Sequence, residues 1–424
     1  MKSRALTALV VVAVLAVIAR AATFDIIWRG TGHTWGQSVE QTPDGGYIVG
    51  AQWKMDSATS YVALIKTDSM GDTLWTRRFP ADDGGQVCLT ADGGFVVIGK
   101  RMLRQPHDEG IVVKVGPRGD SLWGVTITDY DDIWPSAVSS TRDGGCVASG
   151  QLNDRDYHLW LLKLNSSGRE VWRRVYEEDF HMWDPASIEQ TDDGGFFLSG
   201  LGWDDSCGCC HSVLVTDSLG RELWSRTITR PAVWGFAGVQ TEDGYVVTGM
   251  GEDKLARLEA YRTVAAHRYV RGYSDVLSGP YWRLMEEMQS LADRGVSFTP
   301  ECDAAYLIGL QDDGQIRWRQ FFRPENRLSE TYSVARTVDG GFVACGQVTD
   351  LLDWKSQAYL VKTDRLGRRQ WERVMGDLQA HSSSGHCVRQ TRDGGYVIAG
   401  SDGTTGIRLT KTDRAGRVTE CNRR

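Results

Sequence analysis

Gln41-Thr42-Pro43-Asp44-Gly45-Gly46-Tyr47-Ile48-Val49-Gly50 is the stretch whose reading decides the fold, because the chain repeats it. Its Asp-Gly step returns at Asp92, Asp143, Asp193, Asp243, Asp339 and Asp393, at successive spacings of 48, 51, 50, 50, 96 and 54 residues. Self-similarity at such a period marks an array of supersecondary units. Each copy continues into an apolar run, then a Gly turn, then a Trp four residues after that Gly: Gly71/Trp75, Gly119/Trp123, Gly168/Trp172, Gly220/Trp224, Gly314/Trp318 and Gly367/Trp371.

The first copy serves as template. Gln37 to Thr42 alternates and predicts a first strand, a; Asp44-Gly45-Gly46 predicts a tight hairpin, because Asp-Gly readily takes the positive φ that such turns need. Tyr47 to Trp53 reads as strand b, Tyr61 to Thr67 as strand c, Asp68 to Gly71 as a second turn and Thr73 to Phe79 as strand d. Four short antiparallel strands per repeat make one propeller blade. The fold expected is all-β, a seven-bladed propeller over residues 22–424. The seventh copy stops at Gly416-Arg417-Val418-Thr419-Glu420-Cys421 with no Trp. Phe24-Asp25-Ile26-Ile27-Trp28-Arg29 has the look of Thr73-Leu74-Trp75-Thr76-Arg77, so the N-terminal strand is expected to complete the last blade and close the ring. Closure leaves no open sheet edge, which suits a monomer.

Lys66-Thr67-Asp68-Ser69-Met70-Gly71-Asp72-Thr73-Leu74-Trp75, with its relatives ending at Trp224 and Trp371, resembles the tryptophan-docking motif of quinoprotein-like propellers. The whole repeat is similar to tandem propeller repeats of secreted bacterial surface proteins. The resemblance covers nearly all of the chain after residue 21 and is specific for architecture; such propellers host unrelated functions. It implies structural roles for Trp28, Trp75, Trp123, Trp172, Trp224, Trp318 and Trp371, and it raises a quinone-dependent oxidoreductase as one alternative activity.

Blade 5 departs from the pattern. Asp243 to Trp318 spans 75 residues where Asp193 to Trp224 spans 31. The extra segment, 252–301, carries Leu255, Leu258 and Tyr261 at helical spacing, then Tyr281, Leu284, Met285, Met288 and Leu291 as a second stripe. A helical insertion between strands b and c is expected there.

The chain opens with Lys2 and Arg4, runs uncharged from Ala5 to Ala19 and reaches Ala19-Arg20-Ala21, the pattern of a secretory signal peptide over residues 1–21. The destination expected is secreted, periplasmic or cell-surface, with no membrane span after cleavage. Without that segment 45 basic face 55 acidic side chains, a formal charge of −10. An acidic chain without basic blocks argues against nucleic acid as partner. Nine cysteines are an odd count, which leaves a thiol over. Cys88, Cys146, Cys345 and Cys387 sit in strand runs and read as small hydrophobes.

Propeller topology sends the varied d-to-a and b-to-c connections to one face, where function is expected. Trp35, Trp134 and Trp234 each stand seven residues before the Thr that precedes an Asp-Gly turn, with Trp183 one residue out of step. Around them lie His33, Asp82, Asp83, Asp129, Tyr130, Asp131, Asp132, Asp179, His181, Asp184, His381 and His386. Indole faces beside carboxylates suit sugar rings, whose CH groups stack and whose hydroxyls bond. The ligand-binding set expected at the channel mouth is therefore Trp35, Asp131, Asp132, Trp134, His181, Trp183, Trp234, His381 and His386. No catalytic residue is singled out, although two such carboxylates could serve glycoside chemistry. No cofactor is predicted; the acidic loops offer weak calcium ligands. Cys207, Cys209, Cys210 and His211 form a dense cluster that lacks the spacing of structural zinc sites; a disulfide to Cys302 is the favoured reading. Together these features predict a binding propeller for a glycan or an extracellular protein, with a carbohydrate-active enzyme and a purely structural surface protein as the alternatives.

Overall fold

The computed structural model of the protein describes residues 23–32, 34–55, 59–103, 108–130, 132–153, 157–176, 182–204, 208–229, 232–251, 304–324, 327–350, 355–376, 382–403 and 405–418. The expected leader (1–21) and helical insertion (252–301) lie outside these residues. The described chain forms strands and turns, arranged as seven four-stranded antiparallel sheets in a ring. Six blades are consecutive in the chain. The seventh contains Ser384–Gln390, Tyr396–Ser401 and Gly406–Thr412, with Phe24–Arg29 as its outer strand.

The apolar core lies between blades. Seven clusters of buried side chains each draw on two neighbouring blades, as when Ile48 and Leu64 of blade 1 meet Val87 and Phe95 of blade 2. A blade interior to the ring is covered on both faces, so strands b and c are continuous apolar runs: Tyr47–Trp53 is buried throughout. Cys88, Cys146, Cys345 and Cys387 are buried in these clusters as free thiols.

The Asp of the signature is a hub. Asp44 accepts from the backbone N–H of Gly46 at 3.0 Å, from Thr42 Oγ1 at 2.5 Å and from Lys66 Nζ at 2.8 Å. Burial works to raise its pKa, but these donors, the Lys66 ammonium foremost, hold it at about 2. Lys114, Lys163, Lys362 and Lys411 repeat the arrangement in blades 2, 3, 6 and 7. The second Gly of the signature is obligatory for space: a Cβ on Gly46 would lie 2.1 Å from the Thr67 carbonyl oxygen.

Each outer-strand Trp packs on the c–d turn of the following blade. A Cβ on Gly168, Gly220, Gly314, Gly367 or Gly416 would come within 2.3 to 2.8 Å of the indole of Trp123, Trp172, Trp224, Trp318 or Trp371. The closing strand follows this rule in a different register from the one its sequence suggests. Phe24 is the residue opposite Lys411, as Trp75 is opposite Lys66. Phe24 packs edge-on to Tyr47 at 5.8 Å, just as Trp75 approaches Phe95 at 5.9 Å. Trp28 lies four residues further along and donates its Nε1 to Thr73 Oγ1 at 3.0 Å. An even shift keeps the same face inward, so matching Trp to Trp cannot detect it.

Candidate functional site at the channel mouth

The innermost strands of the seven blades surround a cavity of about 480 Å³ along the ring axis. Every one of these strands carries a β-bulge at the same place, between Gly36/Ser38, Gly84/Val87, Pro135/Ala137, Pro185/Ser187, Gly235/Gly238, Thr331/Ser333 and Gly385/Cys387. A bulge leaves its extra residue unpaired and re-aims it. Here Gln37, Gln86, Ala186, Tyr332 and His386 are delivered to the cavity wall. Phe236, Tyr332 and His386 form an aromatic arc over three successive blades, with edge-on centroid distances of 5.1 and 5.8 Å.

The residues just before the bulges do not line that cavity; they form a rim at the end of the inner strands away from the Asp-Gly turns. Counting seven back from each turn Thr gives Trp35, Asp83, Trp134, Asp184, Trp234, Glu330 and Ser384. These seven are structurally equivalent, pairing with Gln52, Lys100, Gln151, Leu201, Met250, Gln347 and Ser401 on the adjacent b strands. The ring therefore alternates Trp and carboxylate through six blades. The repeat's strand-b glycines make room for it: a Cβ on Gly150, Gly200, Gly249, Gly346 or Gly400 would lie 1.9 to 2.2 Å from the carbonyl oxygen of Trp134, Asp184, Trp234, Glu330 or Ser384.

Electrostatics divides the ring. Lys100, only 2% exposed, places Nζ 3.4 Å from the centre of the Trp134 indole, 2.8 Å from Asp108 Oδ2 and 2.5 Å from Asp132 Oδ1. Burial opposes ionisation of Asp132, yet Lys100 holds its pKa below the usual range. Burial raises the pKa of Asp83, Asp184 and Glu330, and the charge of Asp83 adds to the effect at Asp184. Glu330 accepts from Gln347 Nε2. Trp234 is the most open of the three rim indoles, at 40% exposed.

Of the residues expected at the mouth, Trp35, Trp134 and Trp234 share the rim, and Asp132 lies two residues from it. His386 sits one level deeper. Its Nδ1 donates to the Gly36 carbonyl at 3.0 Å, its Nε2 accepts from Ser384 Oγ at 2.8 Å, and burial lowers its pKa to about 4. Asp131, His181 and His381, and the side chain of Trp183, lie outside the described residues. Of the cluster at 207–211, Cys210 and His211 are both fully buried and, as neighbours on a strand, face opposite sides. His211 donates Nδ1–H to Tyr306 Oη at 2.6 Å and accepts from Ser199 Oγ at 2.6 Å, while Tyr306 donates to the Trp234 carbonyl at 3.1 Å. Both ring nitrogens are thus engaged by protein, and the network fixes the backbone of the rim Trp. Cys207, Cys302 and the side chain of Cys209 are not among the described residues. No group of three or more metal-ligating side chains occurs among those that are.

Asp83 and Asp184 stand among the loop acids named from the sequence but outside the expected binding set, and Glu330 was not named; the shared offset from the turn Thr is the signal that groups all three with the rim indoles.

Comparison with known proteins gives architecture. No family model and no curated protein matches the chain. Solved structures do. The Dos1 propeller matches at 10% identity with a TM-score of 0.51, covering 94% of this chain and 96% of its own. The periplasmic gluconolactonase PpgL of Pseudomonas aeruginosa matches at 12% and 0.50, covering 94% of both. YCF48 from Cyanidioschyzon merolae matches at 8% and 0.51, covering 92% and 98%. The chain is a β-propeller. At such identities the likeness is one of fold alone.

Proposed function

We propose that this propeller is an exported, non-catalytic monomer that binds a glycan at its channel mouth. The observation that carries the reading is the alternation of Trp35, Asp83, Trp134, Asp184, Trp234 and Glu330 around one rim. Indole faces accept the CH face of a sugar ring, and carboxylates between them accept its hydroxyls. The aromatic arc and the amides of Gln37 and Gln86 extend the same chemistry inward. The leader-like residues 1–21 support export.

Titration of the protein from Ala22 onward with a panel of oligosaccharides, followed by tryptophan fluorescence and calorimetry, tests this. Saturable binding lost in Trp234→Ala and in Trp134→Ala supports it; a panel without binding, or binding indifferent to both changes, removes it.

One observation favours a second reading, a carbohydrate-active enzyme. Asp83 and Asp184 are rim carboxylates on blades 2 and 4; burial pushes both toward the protonated form, and the charge of Asp83 pushes Asp184 further. Paired carboxyls of unequal protonation are what glycoside cleavage requires. Turnover of a bound sugar that disappears in Asp184→Asn would establish it; binding without turnover leaves the first reading in place.

A further inference from the structure

We infer that the turn end of the channel is a second, small-molecule site for a zwitterion: a free α-amino acid or a dipeptide carrying an aromatic side chain. The site stands apart from the rim, and it does not depend on the glycan reading above. The residue two positions before each turn Thr holds the same level on every inner strand, and all seven of these residues line the cavity of about 480 Å³. Four of them are small and uncharged, which keeps the channel open; the other three are Glu40, Glu189 and Arg389. Arg336, one position nearer its turn on blade 6, lines the same cavity.

One ion pair at this level is a structural bolt. Arg389 donates Nε to Glu40 Oε1 at 2.7 Å and Nη1 to the Val388 carbonyl at 2.9 Å, joining blade 7 to blade 1. A bolt needs no more than that, yet Glu189 and Arg336, on blades 4 and 6, bring a further carboxylate and guanidinium to the same cavity. Glu189 accepts the backbone N–H of Gln240 through Oε1, which fixes its carboxyl beside blade 5. Burial raises its pKa; the Gln240 bond and the charges of Arg336 and Arg389 act against the rise, so both guanidiniums are felt at this carboxyl across the channel.

Charges of both signs in one cavity favour a ligand that carries both. A simple anion drawn to Arg336 would meet the carboxylates of Glu40 and Glu189, and a simple cation would meet two guanidiniums. An α-amino acid presents its ammonium to Glu189 and its carboxylate to Arg336, whose planar donor fork matches it. The bulges deliver Tyr332 and His386 to the same cavity three positions further from the turn, roughly 10 Å along a strand. His386, kept neutral by burial, adds an uncharged ring there. A head group held at the charged level therefore places an aromatic side chain, or the second residue of a dipeptide, against these rings. The cavity volume falls within the range of ordinary small-molecule sites, roughly 300 to 1,000 Å³.

The test is calorimetric titration at pH 6 with phenylalanine, phenylalanyl-phenylalanine, N-acetylphenylalanine and phenylalanine amide. Phenylalanine or its dipeptide is expected to bind saturably, and each capped form, which lacks one of the two charges, roughly tenfold or more weaker than phenylalanine. Glu189→Gln, whose amide oxygen still accepts the Gln240 N–H, should erase the preference over N-acetylphenylalanine. Arg336→Gln should erase the preference over the amide, and it reports even if the first variant does not fold. Capped forms that bind as tightly as phenylalanine overturn the inference, as do preferences that survive in both variants. Failure of both phenylalanine and the dipeptide to bind overturns it too. Oligosaccharide binding, measured separately as above, decides the glycan reading alone, so either can fall without the other.

Discussion

Gln41 Oε1 accepts the backbone N–H of Arg392 at 2.9 Å across the seam where the first and last blades meet. The same bond joins blade 3 to 4 through Arg142 and Gln190, 4 to 5 through Asp192 and Gln240, and 6 to 7 through Val338 and Gln390. The Gln that opens the repeated signature is thus an inter-blade strap. Blades 2, 3 and 6 carry Leu89, Ser140 and Arg336 at that position instead.

Loss of the strap at the seam should weaken closure. Gln41→Ala is expected to lower the free energy of unfolding by about 1 kcal/mol, the usual net worth of one hydrogen bond. Urea titration followed by tryptophan fluorescence measures it, and an unchanged midpoint would show that the seam bond contributes nothing.

The two turn glycines should differ sharply. Gly340 has φ +77° and open space around a Cβ, whereas a Cβ on Gly341 would sit 2.1 Å from the Thr363 carbonyl oxygen and 2.8 Å from Lys362 Nζ. Gly340→Ala is expected to cost about 1 to 2 kcal/mol, the penalty for a left-handed L-residue. Gly341→Ala should cost roughly 3 kcal/mol, since backbone and a buried ammonium must both shift. The ordering, read from thermal midpoints, is the test.

Ring closure depends on Phe24. It is 3% exposed in the cluster between blades 7 and 1, with Trp28 only packed against the edge of that cluster. Phe24→Ala should destabilise by about 3 to 5 kcal/mol, as truncation of a buried aromatic does, and Trp28→Ala by distinctly less. A larger loss at Trp28 would contradict the register.

The buried histidines should cost stability as the pH falls below the ordinary histidine value. Burial holds His211 at about 3 and His386 at about 4, so the folded protein binds fewer protons than the unfolded chain once pH drops below the ordinary histidine value. Each histidine then removes about 1.4 kcal/mol per pH unit between that value and its folded pKa. The turn carboxylates Asp44, Asp92, Asp143 and Asp339, at about 2, contribute in full above the ordinary Asp value and lose that contribution progressively as pH falls from there through about 2. Unfolding midpoints at pH 7 and pH 5.5 should therefore differ, and His211→Gln should flatten the slope whatever it does to the absolute stability. An acid slope in His211→Gln equal to that of the parent would refute the neutral buried histidine; the parent profile alone would not, because Asp83, Asp184 and Glu330, raised by burial, act with the opposite sign.

The blades, their hairpins and the outer Trp series were legible because each depends on residues close in the chain. Asp44-Gly45-Gly46 announces its own turn, and Trp75 follows Gly71 at fixed distance. The rim was half legible: Trp35, Trp134 and Trp234 stand out in a sequence, while Asp83, Asp184 and Glu330 look like ordinary loop acids until the blades are superposed. His211, read beside its thiols as at most a weak metal candidate, is a buried brace under Trp234, because strand alternation and a Tyr 95 residues away decide what it meets.

By itself the sequence determined the period, the hairpin at each Asp-Gly and hence seven blades, since periodicity and turn preference are properties of short segments. Tertiary structure alone decided that Phe24 closes the ring and that Lys100 reaches the face of Trp134. Those relationships join separate blades, and they exist only once closure of the ring sets which blades are neighbours and a bulge in each inner strand turns its side chains toward the axis.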